Sequence, residues 1–203
     1  MPKFFTEFIG TFLITIVAGI SANPFAIGLL LAAMIYIAID FSVPHFNPAV
    51  SMAALMTGDI TLNEFTSYLS AQIPGAFTGG LFVWWLSGTG FVSEPAQSTG
   101  AFEFITIEVL FSFLFVWVFL AMIYPSRRRN PIFGLVIGLT LTGCYMITEP
   151  LSGPGLNPVM SSSFVFFDWI NNGYSYYYLP VYILAPLVGG LGAAFAHKKM
   201  NIE

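Results

Sequence analysis

Two stretches of this chain are apolar enough for a membrane interior and too short to cross one. They read Asn47-Pro48-Ala49-Val50-Ser51-Met52-Ala53-Ala54-Leu55-Met56 and Asn157-Pro158-Val159-Met160-Ser161-Ser162-Ser163-Phe164-Val165-Phe166, ten residues each. Asn is among the best helix N-caps and Pro is favoured at the first helical position, so each stretch is the start of a helix. Ten helical residues rise only about 15 Å, half of a hydrocarbon core about 30 Å thick. Each helix must therefore end near the midplane. At about 3.3 Å per extended residue, Ser42 to Phe46 has just the reach to return there from the membrane surface. Non-helical backbone at that depth is tolerated only inside protein or along a wet cavity.

Six longer apolar stretches surround these two, running from Phe4 to Ala22, Phe25 to Phe41, Phe65 to Leu86, Phe102 to Tyr124, Ile132 to Thr148 and Tyr176 to His197. Each approaches the roughly 20 residues that a spanning helix needs. The first exceeds the usual apolar run of a signal peptide and carries Glu7 inside it, so it reads as a retained span. The chain is 57% apolar and 8% charged, against about 45–50% and about 25% in a soluble domain. An integral membrane protein is expected, and the bilayer is its first partner. The basic residues are Lys3, Arg127, Arg128, Arg129, Lys198 and Lys199. With six spans these fall on one side, which the positive-inside rule makes cytoplasmic, with both termini there. A plasma (inner) membrane location fits this. Trp169, Tyr174, Tyr176, Tyr177 and Tyr178 then form an aromatic belt on the opposite side.

The halves resemble each other. Ile27-Gly28-Leu29 precedes Asn47 by 20 residues, and Ile137-Gly138-Leu139 precedes Asn157 by 20, an offset of 110 in both comparisons. Glu7 is followed by Thr11-Phe12-Leu13 and Glu108 by Ser112-Phe113-Leu114 at equal spacings, and Ala71-Gln72 with Gly75 echoes Ala185-Pro186 with Gly189. The expected organisation is one channel domain, 1–203, with a first repeat at 1–87 and a second at 102–203. Three spans is an odd number, so the second copy is inverted. The site then lies at the midplane interface, where the half-helices meet end to end.

Other chemistries find little support. Cys144 is the single cysteine and His45 and His197 the only histidines, which leaves no disulfide framework and no metal motif. No phosphate-cradling Gly loop or nucleophile elbow occurs, so neither an enzyme nor a cofactor is expected. The basic residues form three short clusters rather than a stripe, so no nucleic-acid partner is expected. Glu7 and Glu108 are acids within spans, open to a proton-relay role or, from their matching positions in the two halves, to a structural one. Gly75 with Gly79, and Gly134 with Gly138, are small-residue pairs that allow helices to approach closely.

On His45-Phe46-Asn47-Pro48-Ala49-Val50, on Glu7 with Gly10-Thr11-Phe12, and on Gly155-Leu156-Asn157-Pro158, the chain resembles the major intrinsic protein family, the aquaporins and aquaglyceroporins. The resemblance covers essentially the whole chain. It implies an all-α membrane protein, an inverted repeat of six transmembrane helices plus two re-entrant half-helices, assembled as a homotetramer with a pore in each subunit. The pore motifs are Asn47, Pro48, Ala49 and Asn157, Pro158, Val159. Glu7 and Glu108 match the family's glutamates that accept hydrogen bonds from the re-entrant loops. The second motif usually reads Asn-Pro-Ala followed by Arg, and here Val159 and Met160 stand instead. The four filter positions become Ile27, Tyr145, Pro154 and Met160, without a cation. Either Met160 lines this filter, or it packs against span six while the carbonyls around Gly153 to Gly155 do the lining. Cys144, next to Tyr145, is either a buried small residue or a pore-facing thiol.

Opposed half-helix starts each present about half a positive charge and unpaired N–H groups to the pore centre, a barrier to cations. Each of the Asn47 and Asn157 carboxamides is expected to donate to a passing oxygen while its carbonyl caps its own helix. The expected function is a passive channel for water or small uncharged, glycerol-like solutes. Two alternatives stay open: a secondary transporter using the broken helices and buried glutamates, and a non-conducting membrane protein on the same fold.

Overall fold

The computed structural model describes residues 2–89, 91–124 and 130–200. The arginines 127–129 invoked for orientation lie outside the described residues. The chain is an all-helical membrane protein. In order the helices are α1 (Pro2–Ser21), α2 (Pro24–Ala38), α3 (Pro48–Thr57), α4 (Leu62–Ser87), α5 (Ala101–Ile123), α6 (Phe133–Ser152), α7 (Pro158–Ile170) and α8 (Leu179–Met200), the last preceded by a 3-10 turn at Ser175–Tyr178. Among the described residues α1, α5, α6 and the Ser175–Met200 segment are long and apolar enough to cross a bilayer. α4 runs for 26 residues but carries Asn63, Glu64 and Gln72. α2 has 15 residues, so it rises only about 22 Å and is completed by a turn at 39–41. The second half-helix is longer than its sequence suggested: α7 continues past Phe166 to Ile170, 13 residues in all, before Asn171 closes it.

Asn-Pro marks more than the pore. Asn23 precedes Pro24 and caps α2, its Oδ1 accepting from the Phe25 and Ala26 amides at 2.9 and 3.3 Å. Asn130 precedes Pro131 and accepts from the Ile132 amide at 3.2 Å, just before α6. The same dipeptide therefore starts surface spans and half-helices alike, and only the missing length behind Asn47 and Asn157 sets those two apart.

Three long pairs make the frame, α1 against α4, α5 against α8 and α2 against α6, and α3 and α7 enter between them. The α2–α6 contact is a backbone approach. A Cβ at Gly28 would lie 2.3 Å from the Gly138 carbonyl oxygen, and one at Gly138 would lie 2.2 Å from that of Gly28. Gly75 and Gly79 in α4 sit likewise against the Phe8 and Phe12 carbonyls of α1, at 2.6 and 2.8 Å.

The start of α1 and the end of α8 meet the same end of the bundle. Lys3 pairs with Glu64 at 3.2 Å, beside the start of α4, and Lys198 donates to the Met56 carbonyl at the end of α3, also at 3.2 Å. At the other end Trp84 and the Thr89 carbonyl are tied through Asn171 at 3.1 and 2.8 Å. There Asp168, buried, accepts from the Ser175 amide at 3.0 Å and its hydroxyl at 2.6 Å, which turns the chain from α7 into α8. The exposed rings of Trp85, Trp169, Tyr174 and Tyr177 gather at this end.

Gly138→Ala should lower stability by about 1–3 kcal/mol through overpacking of the α2–α6 contact. Gly143→Ala, where a Cβ meets nothing within 4 Å, should leave it unchanged or raise it. Thermal unfolding of the two detergent-purified variants reads the difference.

Candidate functional site: two crossed half-helix starts

Asn47 and Asn157 both stand in extended backbone, immediately before the prolines that open α3 and α7. Their carboxamides cross. Asn47 Nδ2 donates to the Leu156 carbonyl at 2.8 Å, and Asn157 Nδ2 donates to the Phe46 carbonyl at 3.0 Å. Each accepting residue is the one before the opposite asparagine, and each is in the left-handed region, Phe46 at φ 55° and Leu156 at φ 63°. Non-glycine residues there cost about 1–3 kcal/mol each and persist only where the surroundings over-determine them. The crossed bonds are part of that surrounding.

Three loop amides are taken by the two buried glutamates. Glu7 Oε1 accepts from the His45 amide at 2.6 Å, and Oε2 from the Phe46 amide and Gln72 Nε2, both at 2.8 Å. Glu108 Oε2 accepts from the Leu156 amide at 2.9 Å, and Oε1 from the Ser152 hydroxyl at 2.7 Å. A Cβ at Gly155 would lie 2.0 Å from Glu108 Oε1, so only glycine admits the carboxylate here. In this geometry both acids face the loops.

Around Glu7 the first loop is wired further. The His45 ring meets the Ser51 hydroxyl through Nδ1 at 3.0 Å and the Tyr124 hydroxyl through Nε2 at 2.8 Å, and it stacks on Tyr68 with centroids 4.0 Å apart. Gln72 Nε2 also donates to Ser51 at 3.0 Å. Around Glu108 the ties differ: the Tyr182 hydroxyl donates to the Ser152 carbonyl, and the Tyr145 hydroxyl to the Gly155 carbonyl at 3.0 Å.

Between the two starts lies a cavity of about 20 Å³, lined by Ile14, Leu31, His45, Phe46, Asn47, Phe115, Leu141, Tyr145 and Asn157. This is room for about one water. Ile14, Leu31, Phe46, Phe115 and Leu141 make most of this lining apolar, and His45, Asn47, Tyr145 and Asn157 are its polar residues. Of the proposed filter positions only Tyr145 borders it. Ile27, Pro154 and Met160 are buried, Met160 at 1% exposure, and Ile27, Tyr145 and Met160 share one apolar cluster. The Pro154 carbonyl accepts from Ser161 at 3.2 Å. Pro48 and Ala49 are buried in the first turn of α3, and Pro158 and Val159 in that of α7.

Two expectations need correction. The carboxamides were expected to cap alike, yet only Asn47 caps: its Oδ1 accepts from the Ala49 amide at 2.8 Å, whereas Asn157 makes no capping bond. Each Nδ2 also spends one hydrogen on the opposite loop, leaving a single hydrogen for a solute. His45 also borders the cavity, with its backbone N–H held by Glu7. Cys144 is buried, with its sulfur 3.8 Å from the Phe111 carbonyl of α5, and it does not border the cavity.

Gln72, Ser51, Ser152, Tyr124 and the apolar lining residues Ile14, Leu31, Phe115 and Leu141 were given no site role from the sequence, although Gln72 was noted in the repeat. A polar residue at a helix position facing Glu7 was the available signal for Gln72. These lining residues carry no signal that distinguishes them from other apolar span residues.

Two helix starts joined across the middle of a membrane bundle, beside a cavity of water size, define a pore-forming protein. The major intrinsic protein model matches residues 1–197. The chain is 32% identical to the glycerol uptake facilitator protein-like 6 of Lactiplantibacillus plantarum over 100% of both chains, and 26% identical to the aquaporin AqpM of Methanothermobacter marburgensis over 97% of this chain and 96% of that one. The aquaglyceroporin of Plasmodium falciparum shares its fold, with a TM-score of 0.84 at 22% identity over 99% of this chain and 96% of that one. The chain belongs to the major intrinsic protein family. It is a passive channel and not an enzyme.

Glu108→Gln should fold with nearly unchanged thermal stability, because the new amide can donate to Ser152 Oγ while that hydroxyl turns to the Thr148 carbonyl, 3.2 Å away. Glu7→Gln cannot adapt: both its oxygens face backbone N–H groups. It should lose about 1–3 kcal/mol through one unpaired buried donor. Thermal unfolding of both variants tests the pair, and flux through Glu108→Gln should persist. Loss of flux in a folded Glu108→Gln protein would instead favour proton coupling.

Proposed function

We propose that this chain forms a homotetramer with a pore in each subunit, and that each pore passes water and small uncharged, glycerol-like solutes down their gradients. The observation that carries this reading is the crossed pair of asparagines beside the cavity. It sets two carboxamide donors and two helix N-termini at one depth, where a neutral solute regains hydrogen bonds and a cation meets positive dipole ends. The name of the Lactiplantibacillus plantarum relative supports a glycerol-like permeant.

The pore motifs of this reading are Asn47, Pro48, Ala49, Asn157, Pro158 and Val159, with Glu7 and Glu108 supporting the loops. Ile27, Tyr145, Pro154 and Met160 form a narrower ring toward the aromatic end. That ring offers no cation and little hydrogen bonding, since the Tyr145 hydroxyl is already given to Gly155. It favours solutes with apolar surface. Met160, unbranched and with three rotatable side-chain bonds, can move aside for a molecule larger than water. The repeats at 1–87 and 102–203 together make the single channel domain. Lys3 and Lys198 at one end of the bundle support cytoplasmic termini in a plasma membrane.

Stopped-flow light scattering on proteoliposomes tests the reading. Fast shrinkage in an impermeant osmolyte, followed by accelerated re-swelling in glycerol and urea, is expected. Shrinkage alone limits the pore to water, and neither response rejects conduction. Met160→Arg should slow glycerol re-swelling about tenfold or more, since a large charged side chain entering the ring must be displaced or desolvated. Unchanged glycerol flux in a folded Met160→Arg protein would remove Met160 from the filter.

A further inference from the structure

The cavity between the half-helix starts, about 20 Å³, has room for about one water. A larger solute passes only where a lining side chain yields, and most of the lining is fixed. Asn47 and Asn157 each donate to the opposite loop, and the Tyr145 hydroxyl is given to the Gly155 carbonyl. Both ring nitrogens of His45 are engaged, by Ser51 and Tyr124. Phe46 is held through its amide by Glu7, and its ring lies so close to α1 that a Cβ at Gly10 would meet it at 2.1 Å. The lining residues left are Ile14, Leu31, Phe115 and Leu141.

These four are two pairs related by the inverted repeat. The offset of 110 that relates Asn47 to Asn157 also relates Leu31 to Leu141, and the offset of 101 that relates Glu7 to Glu108 relates Ile14 to Phe115. The first pair is identical. The second matches an aliphatic side chain with an aromatic ring, so Phe115 is where the two halves bring unequal apolar bulk to the cavity. Its ring can form no hydrogen bond of the kind that pins the polar lining, and it meets Phe119 edge-on, with centroids 6.1 Å apart and planes at 68°.

We propose that the Phe115 ring sets the upper size of solute that passes mid-pore, a steric limit apart from the outer ring at Ile27, Tyr145, Pro154 and Met160. This rests on the channel reading above. Water fits the cavity as it stands, whereas a polyol must displace the phenyl group from a close-packed interior. A smaller side chain at 115 enlarges the cavity and leaves in place the hydrogen bonds that hold the two asparagines. Phe115 is thus a specificity-determining residue that acts by volume alone.

Stopped-flow light scattering on proteoliposomes of Phe115→Leu and Phe115→Ala tests this through the glycerol-to-water permeability ratio. The ratio should rise about tenfold in Phe115→Leu, the scale on which an apolar pocket discriminates one methylene, and further in Phe115→Ala. Phe115→Leu, which leaves the smaller void, keeps the test open where Phe115→Ala fails to fold. Val116→Ala is the control: Val116 is buried in the same helix and does not border the cavity, so the ratio should stay unchanged. A Phe115→Leu ratio within about twofold of the unsubstituted protein, well below that scale, overturns the proposal and leaves size selection to the outer ring. An equal rise in Val116→Ala overturns it too, since loosening of α5 then suffices. Should the unsubstituted protein pass water and no glycerol, the glycerol-like reading fails separately. Glycerol flux appearing in Phe115→Leu then supports the proposal, and its absence overturns it. Should neither water nor glycerol pass, conduction is rejected and the proposal falls with it.

Discussion

The rest of the structure depends on a pair of hydrogen bonds, Asn47 Nδ2 to the Leu156 carbonyl and Asn157 Nδ2 to the Phe46 carbonyl. They hold two helix N-termini at the same depth with their positive ends adjacent, an arrangement that electrostatics alone opposes. To present those carbonyls, Phe46 and Leu156 take left-handed backbone that neither favours. The amides freed by that geometry need acceptors in a membrane interior, where water is not at hand. Glu7 and Glu108 supply them, and Gly155 is bare so that Glu108 can come close. The close helix pairs outside, with Gly28 against Gly138 and Gly75 against Phe8, keep the frame tight enough to hold the loops at that depth.

The same task is solved differently in each half. The first loop carries Gln72, Ser51 and His45 in a connected network that reaches Tyr124. The second leans on Ser152 beside Glu108 and on hydroxyls from Tyr145 and Tyr182 that hold loop carbonyls. Where α4 has Gln72, the echoing position in α8 is Pro186, which has no side-chain donor to offer. Serine from the end of α6 takes that place. The asparagines are uneven as well, Asn47 capping its helix and Asn157 not.

Much of the architecture was legible because length is a hard constraint. A ten-residue apolar stretch opened by Asn-Pro cannot span, so two helix starts at mid-membrane followed from Asn47 and Asn157 by arithmetic. Asn-Pro itself was less diagnostic than it looked, since Asn23 and Asn130 use it at ordinary span starts. The extra turn of α7 was missed because Asp168 closes that helix through Ser175, a tertiary contact that local pattern does not carry. The lost cap at Asn157 was also out of reach: propensity rates asparagine as a good cap wherever a helix follows, and the difference lies in whether one amide reaches one oxygen. The cavity's apolar wall was invisible for a simpler reason. Ile14, Leu31, Phe115 and Leu141 are apolar residues among many in their helices, and only the packing says which of them face inward.

The surroundings of the cavity are unfavourable to an ion without any cationic side chain among its lining residues. An ion entering a cavity of about 20 Å³ must shed nearly all its hydration, at a cost of several kcal/mol or more before any contact is made. What it meets is poor repayment for a cation: amide hydrogens from two asparagines, two helix N-termini and a wall of hydrocarbon. The two acids that could have drawn cations inward, Glu7 and Glu108, do not border the cavity and have their oxygens turned to loop amides and to Gln72 and Ser152. An anion finds donors but the same dehydration and the same apolar wall. The membrane-buried carboxylates thus bring no negative charge to the cavity, whose polar lining is left to His45, Asn47, Tyr145 and Asn157 among apolar side chains.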